Sequence, residues 1–332
     1  MRRPGRPLLA LVSAVALAVG LIACAGSSDS ASPATTAPHT TSTTRAFRCD
    51  PPASGHQTIE VDGTTRTFEV GAPASYDRRV PMVLLLHGFG GSATEFGKDT
   101  TGLLGTGPRH GVVVAVPQAS GDPASWGIID GFDADQTFID DVIAQVTSSS
   151  CVDPKRVIVA GFSAGSAMTG VYGCSRADRV EALVMVSGLP PAVCPKDHTP
   201  RVLVVNGTAD PVVAFEGGNQ QVNGGVIPLA SIPDSVASWA ARAGCTGGPA
   251  DTKVGADVAV RAWTSCAHGG PVDLTIVTGG GHAWPGAVIP AATGGTTQTV
   301  SVSCVVRAIA LDAEVSVSKV ASRCPGEGPK GG

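Results

Sequence analysis

The chain has 332 residues, 43% of them apolar and only 15% charged, ample to build one core of ordinary enzyme size. Its 23 basic and 27 acidic side chains leave a formal charge of −4. A mildly acidic surface is repelled by phosphate backbones, which argues against nucleic acid as a partner.

The N-terminus reads as a targeting segment. Met1–Arg6 is basic, and Pro7–Ala23 is an apolar run of signal-peptide length, at the lower limit for a spanning helix. It ends in Leu21-Ile22-Ala23-Cys24, which resembles the lipobox of bacterial lipoproteins. The resemblance implies cleavage before Cys24 and acylation of its thiol. An ordinary secretory peptide and an uncleaved anchor are the alternatives. Loss of residues 1–23 removes Arg2, Arg3 and Arg6, so the mature balance is 20 basic against 27 acidic, or −7. Acyl chains hold a protein to a bilayer through their buried methylenes, so the mature protein is expected outside the cytoplasm, on an envelope membrane. Residues 24–48 follow, rich in Ser, Thr, Ala and Pro and almost devoid of large apolar side chains. Such a segment cannot offset its chain entropy by burial, and it reads as a flexible tether.

A single folded domain is expected over Cys49–Cys324, with 325–332 as a flexible tail. Gln57–Val61 and Thr65–Val70 flank Asp62-Gly63, a hairpin signal. Pro81–Leu86 and Val112–Val116 are apolar, β-rich runs of buried-strand type. Thr137–Ser148 carries Phe138, Ile139, Val142, Ile143 and Val146 at helical spacing. Strands are expected at Arg156–Ala160, Ala182–Ser187, Arg201–Val205 and Leu274–Val277. Helices are expected at Ala164–Cys174, Ser231–Ala243 and Val300–Leu311. An opening hairpin followed by strand–helix alternation predicts an α/β fold, a mostly parallel, doubly wound sheet with helices on both faces.

Nine cysteines are present, and eight remain once Cys24 is set aside for lipid. None lies in a Cys-x-x-Cys pair, so zinc ribbons and thioredoxin-like redox sites have no support. In an exported protein they most simply form disulfides. Local bridging favours Cys245–Cys266 and Cys304–Cys324, then Cys174–Cys194. Cys49–Cys151 is left by elimination.

Three loops carry the chemistry. Gly161-Phe162-Ser163-Ala164-Gly165 follows a β-branched run and precedes a helical segment, the strand–turn–helix in which a serine hydroxyl is lifted clear of a sheet. Serine is a poor nucleophile unless a base takes its proton, and on this architecture the partners come in the order Ser, acid, His. Asp210, in the turn Asn206-Gly207-Thr208-Ala209-Asp210-Pro211 after a strand, is the expected acid. An Asp that merely starts a turn before Pro is the alternative. His268 and His282 are the two histidines that follow Asp210. His282 is the expected base, because it ends a late strand on the flexible run Gly279-Gly280-Gly281. Oxyanion donors must be backbone N–H groups: Ala164, beside the nucleophile, and Phe89, in the Gly-rich loop Leu86-His87-Gly88-Phe89-Gly90-Gly91. His87 is expected to brace that loop. With Trp126, Phe215 and Trp284 it is also a candidate to line a substrate pocket, core or rim packing being the alternative. Gly88–Ala93 fits a dinucleotide-binding pattern too, but that reading needs an acidic residue ending the next strand, and Val112–Gln118 offers none.

Taken together, Leu86–Gly91, the Asp135-x-x-Phe138-Ile139 helix start, Gly161–Gly165, Asn206–Val213 and Gly280-Gly281-His282-Ala283-Trp284-Pro285-Gly286 resemble the poly(3-hydroxybutyrate) depolymerase-like esterases, grouped with feruloyl and acetylxylan esterases. The lipobox makes the chain similar to their lipoprotein members in mycobacteria and relatives. The resemblance implies the α/β-hydrolase fold and carboxylic-ester hydrolysis by Ser163, Asp210 and His282. Acyl transfer of this kind requires no metal or organic cofactor, and a monomer acting on a small or polymeric ester is expected. A lipase or peptidase on the same fold is one rival. A catalytically silent lipoprotein that binds an envelope component is another.

Overall fold

The structure, a computed structural model, describes residues 49–127, 132–188, 199–222, 225–287 and 293–326. The signal-peptide, Cys24 and tether expectations fall on residues 1–48 and lie outside the described residues, as do 327–332 of the expected tail. The expected domain end moves slightly: the Gly326 N–H donates to the Gln298 carbonyl at 2.8 Å, so the fold holds the chain past Cys324.

Asp62 and Gly63 have φ of 49° and 78°, the doubly left-handed turn whose twist suits two adjacent strands. It joins β1 (Gly55–Val61) to β2 (Thr64–Gly71) in an antiparallel hairpin. β3 (Val80–Leu86) follows, then α1 (Ala93–Glu95), one π-helical turn, and α2 (Leu103–Arg109). Next come β4 (Val113–Pro117), α3 (Phe132–Thr147), β5 (Val152–Phe162), α4 (Ala164–Ser175), β6 (Ala182–Val186) and β7 (Arg201–Gly207). β8 (Gly218–Val222) and β9 (Gly225–Leu229) form a separate hairpin, ahead of α5 (Ile232–Arg242). β10 (Cys245–Lys253), β11 (Val258–Cys266), β12 (Val272–Val277), α6 (Val302–Leu311) and α7 (Val317–Ala321) complete the order.

Among the described residues ten strands make one sheet, ordered β1-β2-β4-β3-β5-β6-β7-β12-β11-β10. Its six central strands, β4 to β12 in that order, are parallel, and both edges are antiparallel. The parallel strands read as unbroken apolar runs because both faces are covered. Met82, Leu84 and Leu86 face a core built with α3, α4 and α5, while Val83 and Leu85 face a second core built with α2, α6 and α7. This is the doubly wound architecture the sequence predicts. After β3 the chain goes out to β4 on one side and returns to β5 on the other. The loops following β3 and β5 therefore meet at a topological switch point, where open α/β sheets form their sites.

Disulfides join Cys49–Cys151, Cys245–Cys266 and Cys304–Cys324. Cys194, and with it the expected Cys174–Cys194 pairing, lies outside the described residues. No strand is expected over Cys245–Lys253, and the structure has one there. It is a mostly exposed edge whose Gly/Pro-rich sequence lacks alternation, and it pairs through β11, with Cys245 directly opposite Cys266. No described helix is long and apolar enough to cross a membrane.

Candidate active site

Ser163 sits between β5 and α4 with φ 54° and ψ −116°, a left-handed conformation that is rare for a residue with a Cβ. The sequence permits this because its neighbours are glycines. A Cβ at Gly161 would lie 2.1 Å from the Gly165 carbonyl oxygen, and one at Gly165 would lie 2.1 Å from that of Leu86. Only glycine allows the start of α4 to press this closely on the end of β3. The Ser163 N–H donates to the Val186 carbonyl at 2.9 Å, which anchors the turn to β6.

The second loop leaves β7. Gly207 packs against the Gly280 carbonyl, where a Cβ would lie 2.1 Å away, so the loops after β7 and β12 touch through backbone. Ala209 N–H donates to that Gly280 carbonyl at 2.9 Å, and Gly279 N–H donates to Thr208 Oγ1 at 2.8 Å. Asp210 is held within this knot. Its Oδ1 accepts the N–H groups of Val212 and Val213, each at 2.8 Å, and its side chain has no exposure to solvent.

The third loop leaves β12. The N–H of His282 donates to the Thr293 carbonyl at 2.9 Å and its carbonyl accepts the Thr293 N–H at 3.1 Å. The ring lies against Phe162, with centroids 5.0 Å apart. Its Nδ1 is 2.9 Å from Asp210 Oδ2, and its Nε2 is 2.8 Å from Ser163 Oγ. An ionised carboxylate only accepts hydrogen bonds, so Nδ1 carries the hydrogen and Nε2 presents its lone pair to the serine hydroxyl. The structure thus brings Ser163, His282 and Asp210 into one hydrogen-bonded chain. It does not bring His268 to them. That residue follows β11, and its carbonyl accepts the N–H of Thr199, which precedes β7, at the opposite end of the sheet from Asp210.

Gly88 lies directly over Ser163: a Cβ there would stand 3.4 Å from Ser163 Cβ. The next N–H, that of Phe89, and the N–H of Ala164 donate to no acceptor among the described residues. Two unspent donors beside one serine can receive a developing oxyanion. The Phe89 ring itself is 61% exposed.

The pocket expectation for His87, Trp126, Phe215 and Trp284 needs correction, because all four are buried. His87 Nδ1–H donates to the Gly88 carbonyl at 2.8 Å, and its Nε2 accepts the Ala119 N–H at 3.1 Å. Burial pushes its pKa below the ordinary imidazole value, against a smaller upward pull from the Gly88 carbonyl. The ring is a neutral brace between the β3 and β4 loops. Trp126 Nε1 donates to the His87 carbonyl at 2.7 Å, and Trp284 Nε1 donates to Ser303 Oγ at 3.0 Å. An indole whose N–H is satisfied indoors packs as core. Phe215 joins the core built with α5.

Sequence reasoning assigned no structural role to the supports of these loops. Asp135 is buried, pairs with Arg66 at 2.9 Å and accepts the Gly127 N–H at 2.6 Å. Gln118 Oε1 accepts the Ala93 N–H at 2.8 Å. Asp135 is signalled by the helix-start motif it opens, Gln118 only as a polar residue that ends an apolar run. Among the described residues no group of three or more His, Cys, Asp or Glu side chains is placed to hold a metal ion.

Comparison with known proteins places the chain in a family. No family model matches the sequence. Feruloyl esterase B of Piromyces equi is 31% identical over 221 residues, 62% of this chain but only 40% of that protein. NocK of Nocardia uniformis subsp. tsuyamanensis, which carries the name of an esterase, is 30% identical over 327 residues, 87% of this chain and 91% of its own. The chain belongs to the feruloyl/acetylxylan esterase-like α/β-hydrolases. These esterases are carboxylic ester hydrolases. The acetyl xylan esterase of Aspergillus awamori shares the fold, with a TM-score of 0.54 over 69% of this chain and 94% of that one, at 14% identity.

Proposed function

We propose that the protein is an exported, lipid-anchored serine esterase in which Ser163 is the nucleophile, His282 the general base and Asp210 its orienting acid. The observation that carries this reading is the unbroken chain from Asp210 Oδ2 to His282 Nδ1 at 2.9 Å and from His282 Nε2 to Ser163 Oγ at 2.8 Å. His282 takes the Ser163 proton as Oγ attacks the ester carbonyl. The oxyanion is held by the N–H groups of Phe89 and Ala164. The C–O bond breaks, the alcohol leaves with the proton from His282, and an acyl-serine remains. Water then attacks that ester, giving its proton to His282, and Ser163 is regenerated as the acid departs. Both steps run on side chains and backbone donors alone.

Short acyl, hydroxyalkanoate, feruloyl and acetyl esters are the substrate classes to screen, and the enzyme acts as a monomer. The disulfides among the described residues suit an oxidising compartment, which supports export. Attachment is through acylated Cys24, on the extracytoplasmic face. Ser163→Ala should abolish both p-nitrophenyl ester hydrolysis and fluorophosphonate labelling while keeping the circular dichroism of the native fold. Turnover retained in that variant would overturn the assignment. Metabolic labelling with an alkynyl fatty acid, lost in Cys24→Ser, tests the anchor.

A further inference from the structure

The end of β6 reaches both partners of the nucleophilic pair. Val186 C=O accepts the Ser163 N–H at 2.9 Å. The next residue, Ser187, donates its own N–H to the Val205 carbonyl at 2.9 Å. Its Oγ donates to the Ala283 carbonyl at 2.9 Å and accepts the Ala283 N–H at 3.3 Å. Ala283 directly follows His282, so one hydroxyl clamps both backbone polar groups of the residue next to the imidazole. Thr293 holds the backbone of His282 itself. The histidine is therefore fixed at two successive backbone positions, and the second fixing point belongs to the strand that also holds Ser163.

Two features indicate that this serine is kept for its hydroxyl. Its φ is 47°, a left-handed conformation that is strained for an L-residue and that glycine would adopt freely. It is also buried, so its hydroxyl is not there to meet solvent. Gly188 behind it is pressed against Ser166, whose Cβ would lie 2.3 Å from a Cβ at that position, so the strand end has little room to shift. Strain of this kind persists only where the surroundings over-determine it.

We propose that Ser187 is a positioning residue whose hydroxyl fixes the backbone of Ala283 and thereby sets the reach of His282 Nε2 to Ser163 Oγ. The proposal rests on the reading of Ser163 as nucleophile and His282 as base. Without the hydroxyl, the Ala283 N–H and carbonyl lose their partner and the loop relaxes. Misplacement by about 1 Å can cost on the order of 10²-fold in rate.

Ser187→Gly and Ser187→Ala test this, with rates of p-nitrophenyl acetate hydrolysis expressed per folded molecule. Ser187→Gly removes the hydroxyl and the φ strain together, so its melting temperature should stay close to that of the parent. Its kcat should nevertheless fall about 10- to 100-fold, with KM changed by less than about twofold. The same slowing should appear in the rate of fluorophosphonate labelling, and the proton resonance of His282 Nδ1–H should shift or broaden. A merely structural serine predicts the opposite, a lower melting temperature with unchanged kcat per folded molecule. The proposal is overturned if Ser187→Gly keeps the parental kcat, if the loss tracks only the folded fraction, or if that variant cannot fold. A parent protein that takes no fluorophosphonate label defeats the esterase reading instead, whereas one that labels no faster than Ser187→Gly defeats only this inference.

Discussion

Replacing Asp210 with asparagine changes the chemistry of one atom and almost none of its volume. In the native site Oδ1 accepts two backbone N–H groups at 2.8 Å, and Oδ2 accepts His282 Nδ1–H at 2.9 Å. The backbone donors of Val212 and Val213 demand an oxygen, so in Asp210→Asn the amide nitrogen must face His282. An amide NH₂ only donates. His282 Nδ1 then has to accept, and its hydrogen moves to Nε2, where a lone pair is needed for the Ser163 proton. The flipped amide is no escape. It would set NH₂ against two N–H groups in a site closed to solvent, at roughly 1–3 kcal/mol for each unsatisfied donor. A base locked in the wrong tautomer costs about 10⁴-fold in kcat, or ~5.5 kcal/mol of barrier. The assay is kcat for p-nitrophenyl butyrate at neutral pH, with the fold checked by circular dichroism. Asp210→Ala leaves Nδ1 free to keep its hydrogen, so it should be no slower than Asp210→Asn despite the larger deletion. An Asp210→Asn enzyme within about tenfold of the parent would refute the tautomer argument and, with it, the role given to Asp210.

His87 makes a prediction about stability and pH. Burial lowers its pKa in the folded protein, so on acidification the unfolded chain takes the proton first. Its contribution is therefore intact above the ordinary imidazole value of about 6.5 and is lost progressively as pH falls below it. His87→Gln should flatten that limb of the urea midpoint against pH. It should also lower kcat about tenfold, a smaller loss than removing an oxyanion donor outright, because the loop carrying the Phe89 N–H loosens. Gly165→Ala should be worse than an ordinary helix substitution. Its Cβ would meet the Leu86 carbonyl oxygen at 2.1 Å, backbone against backbone, so α4 must back away from β3. The expected loss is about 1–3 kcal/mol of stability or more, read from thermal melts, together with activity. A stable and active Gly165→Ala would show that the elbow is looser than its packing implies.

Those parts of the fold whose sequence is dictated by covered surface were legible without coordinates. The runs at 82–86, 113–116, 157–160 and 182–186 are solvent-free on both faces, and continuous apolar sequence is what that demands. Gly161 and Gly165 were legible for a steric reason, since the turn excludes any other residue. β10 was not, because its stability comes from a partner strand and the disulfide beside it, and neither leaves a pattern within the segment. α2 was hidden by Gly105, Gly107 and Pro108, poor helix formers. Gly107 is there because a Cβ would lie 2.5 Å from Val114 Cγ2, a packing demand that no propensity reveals. The aromatic residues near the motifs were misjudged for a related reason. Loops have no periodicity, so proximity in sequence to His282 or His87 says nothing about which way an indole turns.

The least legible feature is also the one that unites the site. Ser163 and Ser187 follow adjacent parallel strands, and both are left-handed, with φ of 54° and 47°. Each such residue costs on the order of 1–3 kcal/mol, and two at neighbouring strand ends would unravel a marginal edge. They stand instead at the centre of the sheet. Ile158, Val159 and Ala160 lead to the first, and Leu183, Val184 and Met185 to the second, all without solvent exposure. Each large apolar side chain buried there contributes roughly 1.5–3 kcal/mol, enough to hold strained ends in place. The strain has a geometric use. A left-handed residue reverses the chain sharply, so the serine side chain projects from the strand end where an extended backbone would have carried it along a face of the sheet. At 163 that projection aims a hydroxyl at His282 Nε2, and at 187 it aims a second hydroxyl at the peptide just beyond the same histidine. Exchanging Ser187 for glycine should therefore leave the sheet intact and lengthen the 2.8 Å contact between His282 and Ser163, whereas the same exchange at 163 deletes that contact outright.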